Sequence, residues 1–132
     1  MNAVEAMQWR YAVKAMNGEK VSDDKIERIL EAIRLSPSST GLQPYELLVI
    51  TNPELKTELK AAAHNQSQVE DCSHLLVFAA WDTYTADRVN AWFDLVNEVR
   101  GAQGEGWEKY RNSILNSYVP RAAEVNFEHA SK

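Results

Sequence analysis

An α+β fold is what this sequence predicts, on three observations. Several segments carry apolar residues at helical spacing between start and stop signals. Two short apolar runs, Tyr45 to Thr51 and His74 to Trp81, read as strands buried on both faces. A helical stretch separates those runs, and further helical segments precede and follow them. The 132 residues suggest one domain, spanning 1–132, able to bury roughly two-thirds of its unfolded surface.

The elements follow in order. Asn2 can cap a first helix, and Glu5 completes a capping box with it. Val4, Met7 and Tyr11 then fall near one face. Asn17-Gly18 interrupts the chain. Ser22 caps a second helix, whose positive end suits Asp23 and Asp24. Ile26, Ile29, Leu30 and Ile33 give that helix one apolar stripe, and Pro37 stops it near Ser36. Ser36 to Pro44 is a loop by composition, and the first strand follows. Asn52 caps and Pro53 opens a helix with Leu55, Leu59 and Ala62, ending near His64-Asn65. A short polar turn or helix leads into the second strand.

Thr83 or Thr85 opens a helix with Val89, Trp92, Phe93 and Val96 on one face, stopped by Gly101. Gly101 to Gly106 reads as a hinge. Trp107, Tyr110, Ile114, Leu115 and Tyr118 then mark another amphipathic helix, and Pro120 starts a last helical segment with no stop signal after it. Two strands alone make a marginal sheet, so further structure is expected to flank them. Together with the unfinished last helix, this suggests an incomplete C-terminus: part of a longer protein, or a chain completed by a partner.

Composition narrows the function. The net charge is -5 with both signs mixed along the chain, whereas nucleic-acid binding needs a basic face. Cys72 is the one cysteine, which precludes an internal disulfide and fits a reducing compartment. The first residues lack the pattern of a signal peptide, and no apolar run is long enough to span a bilayer. A cytoplasmic protein, bound neither to membrane nor to nucleic acid, is expected.

Three groups of residues could carry chemistry. Arg10 and Lys14 would share one face if the first helix continued, and could bind an anion or form a solvated basic turn. The loop Ser36 to Pro44 offers hydroxyls, a permissive Gly41 and the amide of Gln43, or it is an ordinary connector. Asn65 and Gln68 place amides before a strand, where they could read the edge of a heterocycle or merely form a turn. His64, His74 and His129 lack metal-ligand spacing, and Ser38 and Ser39 have no evident histidine base. Neither a metal site nor a catalytic side chain is assigned. The aromatics Trp92, Phe93, Trp107 and Tyr110, at helical spacing, are expected in the core.

Taken in sequence order these pieces acquire a meaning that none has singly. Arg10 and Lys14 come first, then Ser36-Pro37-Ser38-Ser39 and Gln43-Pro44-Tyr45 ahead of a strand, then Asn65, Gln68 and Ser73-His74 ahead of another. The pattern resembles the nitroreductase family of FMN-dependent oxidoreductases, and covers nearly all of this chain but only the front part of a typical member. The resemblance implies a central mixed β-sheet wrapped by helices and an intertwined homodimer with flavin sites at its interface.

By the same resemblance, Arg10 meets the FMN phosphate, and Lys14, Asn65 and Gln68 lie at the pyrimidine edge of the flavin. Pro37, Ser38 and Ser39 reach the flavin held mainly by the other subunit, while Gln43 and Pro44 keep that loop in shape. NADH or NADPH then reduces the flavin, which passes two electrons in a ping-pong cycle to nitroaromatics, quinones or related small acceptors. The chemistry belongs to the flavin. Ala12 departs from the family's frequent hydroxyl, and Gly41 stands where asparagine is common. Two other expectations compete: a non-catalytic helical dimerisation or binding module without flavin, and a generic α+β ligand-binding domain.

Overall fold

Local start signals become hydrogen bonds in the computed structural model, which describes residues 2–101 and 104–130. Asn2 and Glu5 make both halves of the capping box, each bond 2.9 Å, at the start of α1 (Ala3–Trp9). The carbonyl of Ser22 accepts from Lys25 and Ile26 at the start of α2 (Asp23–Leu35), which ends two residues before Pro37. After β1 (Tyr45–Ile50), the Asn52 side chain accepts the Leu55 N–H at 2.8 Å, and Pro53 opens α3 (Pro53–Ala62). The expected short polar segment is a helix, α4 (Ser67–Asp71), followed by β2 (Leu75–Ala80).

Thr85, rather than Thr83, caps α5 (Ala86–Arg100) by accepting from the Arg88 N–H at 3.2 Å. Gly101 ends α5 at φ 79°, a left-handed geometry that glycine adopts without cost. Of the expected hinge, Ala102 and Gln103 lie outside the described residues, Gly104 precedes α6 (Glu105–Tyr118), and Gly106 is already helical. The last helix, α7, runs Ala123–Ala130. The side chain of His129 and all of Lys132 fall outside the described residues. No helix among those described is long and apolar enough to cross a membrane.

β1 and β2 pair in a two-stranded sheet, and the Trp81 N–H donates to the Pro44 carbonyl at 2.9 Å where one strand begins and the other ends. The chain groups into two compact units. The first comprises residues 1–34 and 48–77; the second comprises 35–47 and 78–132.

The second unit holds a core of Leu42, Tyr84, Val89, Phe93, Ile114 and Tyr118. Around Phe93, the ring centroids of Trp92 and Trp107 lie at 4.9 Å and 4.7 Å, in the range where offset and edge contacts are favourable. The aromatics at helical spacing pack against one another, but the core expectation holds in full only for Phe93: Trp92 and Trp107 are half-buried and Tyr110 is 37% exposed.

The first unit differs. Its one buried residue among those described is Lys56, and no residue of α1 or α2 is buried. The expectation that both strands are buried on two faces is corrected here: neither contains a buried residue, and Phe78 is 55% exposed. An unbroken apolar run records what a strand can tolerate, but burial also needs a layer over each face, and two strands supply none. Of the mixed sheet implied by the resemblance, the described residues contribute two paired strands.

Candidate cofactor-binding site

The candidate residues lie on four segments, each described by itself, starting with the end of α1. The helix stops at Trp9, and Arg10 turns into extended backbone at φ -58°, ψ 145° while its N–H still bonds the Ala6 carbonyl. The condition under which Arg10 and Lys14 would share a helical face, a helix continuing past Arg10, is therefore not met. A helix this short depends on packing to propagate, and α1 buries nothing. Both side chains are exposed, and neither makes a hydrogen bond or ion pair among the described residues. The segment beyond Lys14 is tied down at Val21, whose N–H donates to Ser73 Oγ at 3.2 Å. Ser73 Oγ in turn lies 3.0 Å from His74 Nδ1, at the entrance to β2.

Asn65 sits where α3 ends. His64 and Asn65 each have φ 55°, and the Asn65 N–H reaches back to the Lys60 carbonyl at 3.0 Å. This is the bond pattern of a left-handed helix terminus, and asparagine tolerates that region better than most residues. The turn-forming role is thus real, and the backbone alone performs it. The Asn65 side chain is exposed and without a partner among the described residues. Gln68 follows in α4, half-buried, its amide nitrogen donating to Gln66 Oε1 at 2.8 Å.

Charged side chains of α3 hold α4. Lys60 Nζ meets Glu70 Oε2 at 2.6 Å, Thr57 Oγ1 donates to Glu70 Oε1 at 2.9 Å, and Lys56 Nζ donates to the Cys72 carbonyl. The Lys60 hydrogen bond, then that of Thr57, holds the Glu70 carboxyl below the usual carboxylate range, and the same pair raises Lys60.

The remaining segment is the loop in the second unit. Gln43 binds the loop to itself: its N–H donates to Ser38 Oγ at 3.0 Å and its side-chain amide to the Ser36 carbonyl at 3.2 Å. It adopts φ 45°, and Leu42 beside it is buried in the core. Gly41 has φ 81°, and a Cβ there would stand 3.3 Å from the Trp92 ring. Asparagine could share this backbone geometry, but the indole leaves little room for its side chain. Tyr110 adds a support by donating its hydroxyl to the Thr40 carbonyl at 3.1 Å. Pro37 and Ser39 stay exposed, and Ser38 is half-buried.

The eight expected residues thus divide. Arg10, Lys14, Asn65 and Gln68 belong to the first unit, with Asn65 and Gln68 brought together by the α3–α4 turn. Pro37, Ser38, Ser39 and Gln43 belong to the second. Sequence reasoning missed the support that Lys56, Lys60 and Glu70 give to Asn65 and Gln68, and that Trp92 and Tyr110 give to the loop. The Glu70–Lys60 pair spans ten positions and the Tyr110–Thr40 bond seventy, so no local pattern announces them.

Comparison with known proteins bears on the same residues. The model of the nitroreductase family matches residues 7–122. A Bacillus subtilis protein, YfkO, assigned as an NAD(P)H nitroreductase, is 34% identical over 139 aligned residues, covering 98% of this chain and 62% of its own. A protein of Exiguobacterium sibiricum, assigned as a nitroreductase and crystallised in complex with FMN, superposes with a TM-score of 0.75 at 24% identity, covering 98% of this chain and 62% of that one. A Staphylococcus epidermidis protein assigned as an NAD(P)H:FMN oxidoreductase gives a TM-score of 0.76 at 18% identity, covering 96% and 60%. The chain spans less than two-thirds of each of these relatives.

Proposed function

From a chain that belongs to the nitroreductase family, we propose that the protein carrying it is an FMN-dependent oxidoreductase. It moves two electrons from NADH or NADPH to small electron-poor acceptors such as nitroaromatics and quinones. One observation carries this: the family match, from 7 to 122, contains all eight residues of the candidate site. The donor set also fits FMN, since two uncommitted cations suit a phosphate and a polar ring edge, and two amides suit that edge.

Arg10 would grip the phosphate, where a guanidinium can donate two parallel hydrogen bonds. Lys14 would fix a positive charge at the pyrimidine edge, where two-electron reduction adds negative charge. Asn65 and Gln68 would present amides to the same edge, and the fixed turn between them limits the entropy lost on binding. Pro37, Ser38 and Ser39 would meet the flavin held mainly by a second subunit, on a loop that Gln43 and Pro44 keep in shape. FMN, when bound, supplies the redox chemistry, alternating between donor and acceptor in a ping-pong cycle.

A homodimer is part of the proposal. The exposure of Trp9 at 77% and Tyr11 at 83%, together with two strands that contain no buried residue, supports a partner that covers apolar surface. The cytoplasm is the proposed location, in keeping with a single unpaired cysteine.

The test is the visible absorption spectrum of the purified full-length protein. A flavin spectrum that NADH or NADPH bleaches, and that a quinone or nitroaromatic restores, is the expected result. A colourless protein that also takes up no added FMN contradicts the assignment and leaves a flavin-free binding module.

A further inference from the structure

The helix that carries Gln68 cannot hold itself in place. α4 has five residues, its N-cap Gln66 makes no side-chain capping bond, and it buries nothing. Helices of this length are unstable in isolation, because nucleation costs more than so few bonds return. What fixes α4 comes from α3. Glu70, two residues past Gln68, is gripped at both carboxylate oxygens, by Thr57 Oγ1 at 2.9 Å and by Lys60 Nζ at 2.6 Å. The carbonyl just past the helix, that of Cys72, accepts from Lys56 Nζ, and Lys56 is only 7% exposed.

Lys60 does a second thing. Its carbonyl accepts from the Ala63 N–H at 3.1 Å and the Asn65 N–H at 3.0 Å, which sets the left-handed turn bearing Asn65. One residue thus fixes Asn65 through its backbone and the Gln68 helix through its side chain. A buried ammonium costs free energy unless well partnered, so Lys56 marks a position where something other than burial is being stabilised.

We propose that Lys60 and Glu70, supported by Thr57 and Lys56, are positioning residues for the flavin edge: they set the angle at which Asn65 and Gln68 present their amides. This rests on the proposed function, in which those two amides face FMN. None of the four touches the ligand in this scheme. They act by holding a short helix and a strained turn in one arrangement, as precise recognition of a planar ring edge requires.

The experiment measures the FMN dissociation constant and the visible circular dichroism of bound flavin, using full-length protein. Asn65→Ala and Gln68→Ala report whether these amides face FMN at all. Glu70→Gln keeps the shape and removes the charge, Thr57→Val removes one of the two grips, and Lys60→Arg keeps the cation. Glu70→Gln is expected to weaken binding roughly tenfold, the scale of a lost charge-assisted hydrogen bond, and to change the dichroism of bound flavin. Thr57→Val should show a smaller loss in the same direction, and Lys60→Arg should stay near wild type.

Should Gln68→Ala weaken FMN while Glu70→Gln and Thr57→Val leave both affinity and dichroism unchanged, the positioning role is overturned. Should wild type bind FMN while Asn65→Ala and Gln68→Ala change nothing, the assignment of the flavin edge is wrong and the positioning role falls with it. If Glu70→Gln does not fold, Thr57→Val, which leaves the carboxylate in place, decides the matter by the same two readouts: a loss of affinity with changed dichroism supports the positioning role, and no change in either overturns it.

Discussion

Gly41 illustrates what single residues contribute. At φ 81°, with the Trp92 ring 3.3 Å from where a Cβ would stand, the position suits glycine on two independent grounds. Gly41→Ala should therefore destabilise the protein by about 1–3 kcal/mol in urea denaturation, through strain at a left-handed residue and a tight contact. Residue roles of this kind were partly legible. Asn2, Asn52 and Thr85 cap their helices because a cap and its target are neighbours in sequence. Gln43 was legible as a loop residue, but its partners Ser36 and Ser38 were not, since they depend on the loop's closure. The Trp92 and Tyr110 supports come from helices far along the chain and left no trace in the sequence around the loop.

Among the elements, α3 is the most informative. Asn52→Ala removes the acceptor for the Leu55 N–H and should cost about 1 kcal/mol, read from the shift in denaturation midpoint. The α3–α4 contact should also respond to pH. Glu70 has its folded pKa lowered by Lys60 and Thr57, so its contribution is present at neutral pH and above its unfolded value. That contribution is lost as pH falls through the folded pKa, below the usual carboxylate range of about 4. Lys60 has its folded pKa raised by Glu70, so its contribution is present below the unfolded value of about 10.4 and lost as pH rises through the folded one. Subtracting the stability-against-pH curve of Glu70→Gln from that of wild type should reveal a plateau across neutral pH that falls away on both sides. A flat difference would contradict the pairing.

Element identity was legible because helix and strand periods are local, and the order of elements matches the sequence expectation. The end of α1 was not legible. The Arg10–Lys14 spacing fits a helical face, but continuation needed packing that this helix lacks.

Over the whole molecule, burial is uneven. The hydrophobic core of the described residues lies in the second unit, centred on Phe93 with Tyr84, Val89 and Ile114. Phe93→Ala should cost about 3–5 kcal/mol if its cavity stays open, seen as a large drop in denaturation midpoint. Outside that core, the apolar stripe of α2 and the two strands have no buried residue, although the sequence pattern suggested a fully covered sheet. Composition reports which side chains can be buried; what covers them is a property of the assembly, and strand sequence does not encode it. The candidate site was legible at this scale for another reason. Its residues are scattered over four segments, and only their joint order in the sequence suggests a common purpose, the proposed flavin site.

That purpose rests most directly on the two exposed cations near the N-terminus. The decisive measurement is the FMN dissociation constant of the full-length protein beside those of Arg10→Ala and Lys14→Ala. Each substitution should weaken FMN binding by roughly tenfold or more, the scale of a lost charge-assisted contact, without changing the far-ultraviolet dichroism. Unchanged affinity in both variants would contradict the account, because FMN would then be held by groups other than the proposed Arg10 and Lys14.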